Sequence, residues 1–177
     1  KTHPIKAIKI LCSNKYFILI TLAFAIIYTS LGLTGGSRIY YAKYVLGNEM
    51  INSTMTLFNY IPTILTIMLI PIFAKKFGKI KALFVGFLFY GAGLILEIAG
   101  PVNLPMIYGG LVLQGIGHAA LYSCLFAIVG DVVDYSEWKD GIREEGLTYS
   151  VTSFGQKIGT GLGTAALGWI LAAGNYN

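Results

Sequence analysis

Five apolar segments follow one another with only short interruptions, and they leave such a chain few ways to fold. They cover about residues 16–41, 54–74, 82–99, 104–129 and 146–172. A hydrocarbon core about 30 Å thick takes roughly 20 helical residues to cross, and each segment supplies about that number or more. Backbone amides cannot stay unpaired in hydrocarbon, so a spanning segment is either a helix or a strand of a closed barrel. Barrel strands alternate in polarity and are much shorter than these runs. The expected fold class is therefore an all-α membrane protein with five transmembrane helices.

Orientation follows from the basic residues. Lys1, Lys6, Lys9 and Lys15 precede the first segment, Lys75, Lys76, Lys79 and Lys81 follow the second, and Lys139 and Arg143 follow the fourth. The other side has Arg38 and Lys43, and its connection at residues 100–103 is uncharged. The positive-inside rule places the N-terminus and the lysine-rich loops in the cytoplasm, with the protein in the cell membrane. The net charge of +5 is thus not a nucleic-acid signal, because the lysines lie in short runs between apolar segments. Cys12 and Cys124 are isolated, show no metal-ligand spacing, and read as small apolar residues. No signal-peptide pattern is seen. Residues 1–15, KTHPIKAIKILCSNK, read as a cytoplasmic lead-in cut from a longer protein. Membrane proteins built from repeats often use three-helix units. Five spans then read as three plus two, with a last helix missing.

Inside the spans the polar residues are few. Pro62 and Pro71 fall within or at the end of the second segment, where neighbouring groups can satisfy the freed carbonyls. Asn59 and Tyr60 either line a cavity or bond between helices. Gln114 and His118 lie one turn apart on one face of the fourth segment, as a cavity-lining pair or as a hydrogen-bonded packing pair. Glu97 is near the outer end of the third, where snorkelling relieves most of its cost.

Residues 130–163 concentrate the chemistry. Asp131, Asp134 and Glu137 recur at i, i+3 and i+6, which on a helix keeps three carboxylates near one face. Lys139, Asp140, Arg143, Glu144 and Glu145 follow. The run suits a solvated charged loop, or an acidic Mg²⁺-pyrophosphate motif of a prenyl-transfer enzyme. The latter usually needs two acidic clusters, and this chain has one. It also suits a gate in which the carboxylates and Arg143 pair across a cytoplasmic closure and separate on opening. On the fifth segment Tyr149, Ser153, Lys157, Thr160 and Thr164 form one polar stripe, while Gly155, Gly159 and Gly163 lie on roughly the opposite side. Such a small-residue stripe lets a neighbouring helix approach closely. Lys157 is about 17 Å along its helix, near the bilayer midplane. A charge there marks a functional residue or a buried structural ion pair.

The run DVVDYSEWKDGIREEGLTYS, followed by SFGQKIGTGLG, resembles the glycoside–pentoside–hexuronide:cation symporters, relatives of the melibiose permease in the major facilitator superfamily. The five spans match the seventh to eleventh helices of that family in order. The loop PIFAKKFGKIK is similar, more weakly, to a superfamily loop, with Lys75 where an acidic residue is usual. The resemblance implies the C-terminal half, less its last helix, of an alternating-access transporter rather than an enzyme. Its substrate would be a sugar (a glycoside, pentoside or hexuronide), and its coupling cation Na⁺ or H⁺, with no other cofactor. It assigns Asp131, Asp134 and Arg143 to a cytoplasmic ionic gate, Lys157 to the neighbourhood of the cation site, and Ser153 to a position near the sugar. Tyr149 and Thr160 share that stripe, and His118 and Gln114 are the further cavity candidates. The expected partners are the bilayer, the sugar and the missing N-terminal half. A membrane-embedded Mg²⁺-dependent prenyl-transfer enzyme and a lipid-transporting relative on the same fold stand as alternatives.

Overall fold

A computed structural model describes residues 14–141, 143 and 145–174, apart from the side chain of Asp140. The lead-in up to residue 13, with Cys12, and Glu144 of the charged run lie outside the described residues. Each apolar segment is helical. α1 is Lys15–Tyr40 and continues through a π-helical turn, Tyr41–Val45; α2 is Ile51–Ile67, α3 Ile70–Phe77, α4 Lys79–Ala99, α5 Leu104–Asp140 and α6 Glu145–Ala173. No strand occurs among the described residues.

Three helices are long and apolar enough to cross a membrane: Lys15–Val45, Lys79–Ala99 and Leu104–Lys139. The pair α2–α3 adds a fourth if it is one span, bent by 52° at its break. The sequence suggests a single second segment; the break comes from Pro71, in the first turn of α3. Proline has no N–H to give the carbonyl four residues back, at Ile67, where α2 stops. Pro62 sits inside α2 without ending it. α6, with 29 residues, is long enough to cross but falls outside the apolar set, because Gln156, Lys157 and a run of glycines and threonines dilute it. Most of the charged run is helical, and only residues 141–144 connect α5 to α6. α5 carries it as a continuous helix through Asp140 and then stops at Gly141, whose φ of +65° is a left-handed conformation that glycine adopts without strain.

The described residues form two compact units, one made of the chain up to Ser37 and from Ile128 onward, the other of Arg38–Ala127. In the first, α1 and α6 run parallel with almost no side chain between them. A Cβ added at Gly155, Gly159 or Gly163 would lie 3.2, 2.4 or 2.2 Å from the carbonyl oxygens of Thr21, Ala25 and Thr29. The four-residue glycine spacing thus meets a four-residue spacing on α1, the small-residue packing expected where hydrophobicity cannot drive association.

In the second unit α4 and α5 run antiparallel and exchange glycines. Gly86 faces Gly117, Gly93 faces Gly110, and added Cβ atoms would approach the partner's carbonyl oxygen to between 2.5 and 3.2 Å. α2 joins the same surface. Asn59 Nδ2 donates to the Leu111 carbonyl at 3.1 Å, and the Thr63 hydroxyl donates to the Gly115 carbonyl at 3.0 Å. Of the two readings open for Asn59, interhelical bonding is the one its contacts support. Cys124 is buried beside Ala119 and Ala120.

Candidate functional site

The six cavity candidates divide between the units. Tyr149, Ser153, Lys157 and Thr160 are on α6 in the first; Gln114 and His118 are on α5 in the second.

On α6, glycine packing against α1 fixes which way the polar stripe faces. Thr148, Thr152, Gly155, Gly159, Gly163 and Leu167 are buried, while Tyr149, Ser153, Lys157, Thr160 and Thr164 are exposed. The Thr160 and Thr164 hydroxyls donate back to the carbonyls of Gln156 and Thr160, at 3.0 and 3.2 Å, so their oxygens remain free to accept. Lys157 has no ion pair among the described residues, so the structural pair considered for it is not formed there.

The charged end of α5 is built on the same unit. Val132, Val133 and Ser136 are buried, and Ser136 accepts a hydrogen bond from Asn14 Nδ2 at 2.9 Å. The rings of Tyr16 and Tyr135 meet edge to face at 4.9 Å. That anchoring leaves Asp131, Asp134 and Glu137 exposed on the helix. Arg143 reaches back to them: Nη1 donates to Asp134 at 3.1 Å and to Glu137 at 2.5 Å, and Nε donates to Glu145 at 2.8 Å. Its hydrogen bonds to Glu137 and Glu145 raise its pKa above the ordinary arginine value. Two predicted gate residues, Asp134 and Arg143, are therefore in direct contact; Asp131 lies one turn earlier. Glu137 and Glu145 complete the clasp. Trp138 stands beside it, 80% exposed, with its ring 5.9 Å from that of Tyr135.

In the second unit Gln114 and His118 are buried, at 1% and 5% exposure. Arg38 Nη2 donates to Gln114 Oε1 at 3.1 Å. Glu97 is half-buried, shares a side-chain hydrogen bond with Gln114 and lies within electrostatic range of Arg38. It therefore faces its own unit instead of snorkelling away from it. Gly110 makes room for its stem, since a Cβ there would lie 2.9 Å from Glu97 Cγ. His118 lies between the rings of Tyr90 and Tyr122, at 5.0 and 5.8 Å. Arg38, Glu97 and Tyr90 were not legible as site residues from the sequence. The only local signal was an ionisable side chain within an apolar run, and the pairing depends on tertiary approach.

Comparison with known proteins places these features in a family. The family described as MFS/sugar transport protein matches over residues 1–177. An isoprimeverose transporter from Lactiplantibacillus pentosus is 29% identical over 179 residues, covering 99% of this chain and 37% of the relative. A glucuronide carrier protein homolog from Escherichia coli (strain K12) is 30% identical over 142 residues, covering 79% and 31%. A raffinose carrier protein from Pediococcus pentosaceus is 26% identical over 164 residues, covering 92% and 25%. The chain therefore spans about a third or less of the length of these relatives. No solved structure matches. The family and these relatives are transporters and carriers, not enzymes.

Proposed function

The chain belongs to the MFS/sugar transport protein family, and from that membership we propose that it is part of a secondary active sugar transporter working by alternating access. The transported molecule is a glycoside, pentoside or hexuronide, moved together with Na⁺ or H⁺. Residues 16–177 act as a half-domain of a longer protein, with residues 1–15 as its cytoplasmic lead-in. The coverage of the relatives supports that view. The N-terminus and the Arg143 clasp face the cytoplasm of a cell whose plasma membrane the chain crosses.

One observation carries the reading of the site. The glycine face of α6 is fully used against α1, while the opposite face presents Tyr149, Ser153, Lys157 and Thr160 exposed, with Lys157 in no ion pair among the described residues. A polar stripe with a lysine in a membrane-crossing helix suits a water-filled cavity shared with another part of the protein. Lys157 supplies positive charge beside a carboxylate cation site contributed by that other part. Asp134 and Arg143, with Asp131 nearby, close the cytoplasmic side and part once per cycle. Exposed ion pairs suit this because each is individually weak.

The test is uptake of labelled sugars by the complete transporter in membrane vesicles, with and without a Na⁺ or proton gradient. A gradient is expected to stimulate uptake, and Lys157→Leu to abolish coupled uptake while the protein still inserts. Wild-type uptake by Lys157→Leu would remove the lysine from the mechanism.

A further inference from the structure

Where α2 gives way to α3, the second unit leaves an apolar notch that neither the glycine seams nor the α6 stripe accounts for. It encloses about 200 Å³ between the break, the first half of α4 and the middle of α5. Leu69 and Phe73 line it from the α3 side, Val85 and Phe89 from the α4 side, and the buried Gly86 and Ala120 at its base. A Cβ at Gly86 would lie 2.5 Å from that of Ala120, so two small residues in contact form the floor. Leu69, Phe73 and Phe89 remain exposed along it. The notch has a local cause: Pro71 ends the straight run, and the 52° bend carries α3 out of line with α2. In a chain that crosses a membrane, an open apolar notch of this kind is filled by hydrocarbon.

Charge narrows the choice. α3 ends at Phe77 and α4 begins at Lys79, so Gly78 alone joins them, in a left-handed turn at φ +93°. Lys75, Lys76, Lys79 and Lys81 crowd this connection, and no acidic residue occurs between Glu49 and Glu97. Helical register puts two of the lysines in line with the notch. Lys76 is three residues beyond Phe73 and Lys81 four residues before Val85, each about one turn along the same face. Both are exposed and in no ion pair among the described residues. Lys79 instead turns into the unit, its Nζ donating to the Ala127 carbonyl at 3.2 Å. Lys75, two residues beyond Phe73, is off the notch face. The positive-inside rule accounts for lysines at this end of the helices but not for their register with an apolar notch. A soluble anion would meet the lysines and leave the notch unfilled, and an uncharged tail would do the reverse. A molecule with a phosphate head and an acyl chain fits both.

We propose that the notch holds one acyl chain of an anionic glycerophospholipid, with the lipid phosphate between Lys76 and Lys81. Basic pockets between membrane helices are suited to such headgroups. The lipid is a bound component of the protein's surface and not its cargo. The inference needs only that the chain crosses a membrane, and it is independent of the sugar-transport reading.

The complete transporter, purified in a neutral detergent, is titrated with dioleoyl phosphatidylglycerol and with dioleoyl phosphatidylcholine, which has the same tails and no net charge. Native mass spectrometry counts the bound lipid. Phosphatidylglycerol should bind about thirtyfold more tightly, Lys76→Gln and Lys81→Gln should each weaken it about fivefold, and the double variant should remove its advantage. Lys75→Gln, on the same connection but off the notch face, should change it less than about twofold. Val85→Phe, which fills the notch and keeps both lysines, should weaken it about tenfold, the loss of roughly two buried methylenes. Glycerol phosphate, which has the charge without the chain, should not displace the lipid. Equal binding of the two lipids, or a loss on Lys75→Gln as large as on Lys76→Gln, means diffuse charge and overturns the site. Displacement by glycerol phosphate reduces it to an anion site and overturns it too. If no lipid is retained and Val85→Phe lowers the melting temperature, another segment of the transporter covers the notch, and the proposal falls. No readout here involves sugar, so this site and the transport reading fail separately.

Discussion

Arg38 on α1 and Lys157 on α6 are both long cations set in membrane helices, and their units treat them in opposite ways. Arg38 is half-buried, hydrogen-bonded to Gln114 and within range of Glu97. Its unit offsets the charge internally. Lys157 is exposed, has no ion pair among the described residues, and lies across its helix from a face filled by backbone contact. A lone charge at the bilayer centre costs at least about 2.5 kcal/mol, so Lys157 depends on water or on a partner beyond the described chain. One cation has its charge partners within its own unit, while the other has none among the described residues. The glycine seams differ in a parallel way. α4 and α5 trade glycines reciprocally, whereas α6 supplies the three-glycine stripe that lies against the carbonyls of α1.

The largest effect is expected where that seam is broken. A Cβ at Gly159 would sit 2.4 Å from the Ala25 carbonyl oxygen, whereas one at Gly161 meets nothing within 4 Å. Gly159→Leu should destabilise the transporter by roughly 3 kcal/mol or more, at or above the upper end for overpacking because backbone cannot yield. Gly161→Leu should be tolerated. Thermal unfolding in detergent checks the pair, and equal losses at both sites would show that α6 does not pack by its glycine face.

Next in size is the contrast between the cations. Arg38→Leu leaves Glu97 and Gln114 buried without their partner and should cost about 1–3 kcal/mol. The double variant Arg38→Leu/Glu97→Leu should recover part of that loss. Lys157→Leu should leave thermal stability unchanged or raise it while coupled uptake disappears. If Lys157→Leu unfolds the protein instead, the lysine is structural and the comparison fails. Arg143→Gln should slow uptake severalfold without lowering the amount of inserted protein, and Glu137→Gln should do less, since Asp134 and Glu145 remain as partners. Initial uptake rates, normalised to inserted protein, measure both. The smallest effect is expected for Asn59→Leu, whose single interhelical bond to Leu111 is worth about 0.6 kcal/mol on the average for such contacts.

Much of the architecture was legible because it is periodic. The apolar runs mark the helices, and the four-residue repeat of Gly155, Gly159 and Gly163 marks the face of α6 that meets α1. The i, i+3, i+6 carboxylates likewise mark one face of a helix, although the charge of the run hid that α5 continues through it to Asp140. What stayed hidden depends on distant segments meeting. Gly86 and Gly93 repeat every seven residues, as do Gly110 and Gly117, but nothing local says that the two pairs face each other. Glu97 looked free to snorkel because its companions Arg38 and Gln114 are 59 and 17 residues away in sequence. Pro62 and Pro71 are alike in the sequence. Only Pro71 comes where the helix ends.

Trp138 gives the clasp an optical handle. Its indole projects outward one residue beyond Glu137, which receives Arg143, and close to the ring of Tyr135. Indole emission follows the polarity and the quenching groups around the ring. The chain has two tryptophans, Trp138 and Trp169. In this part of the protein, Trp169→Phe leaves a single emitter, on the α5 turn that carries the charged cluster. On the gate reading, the light from that residue shifts as Arg143 lets go, a signal that tests the opening in real time without attaching a label.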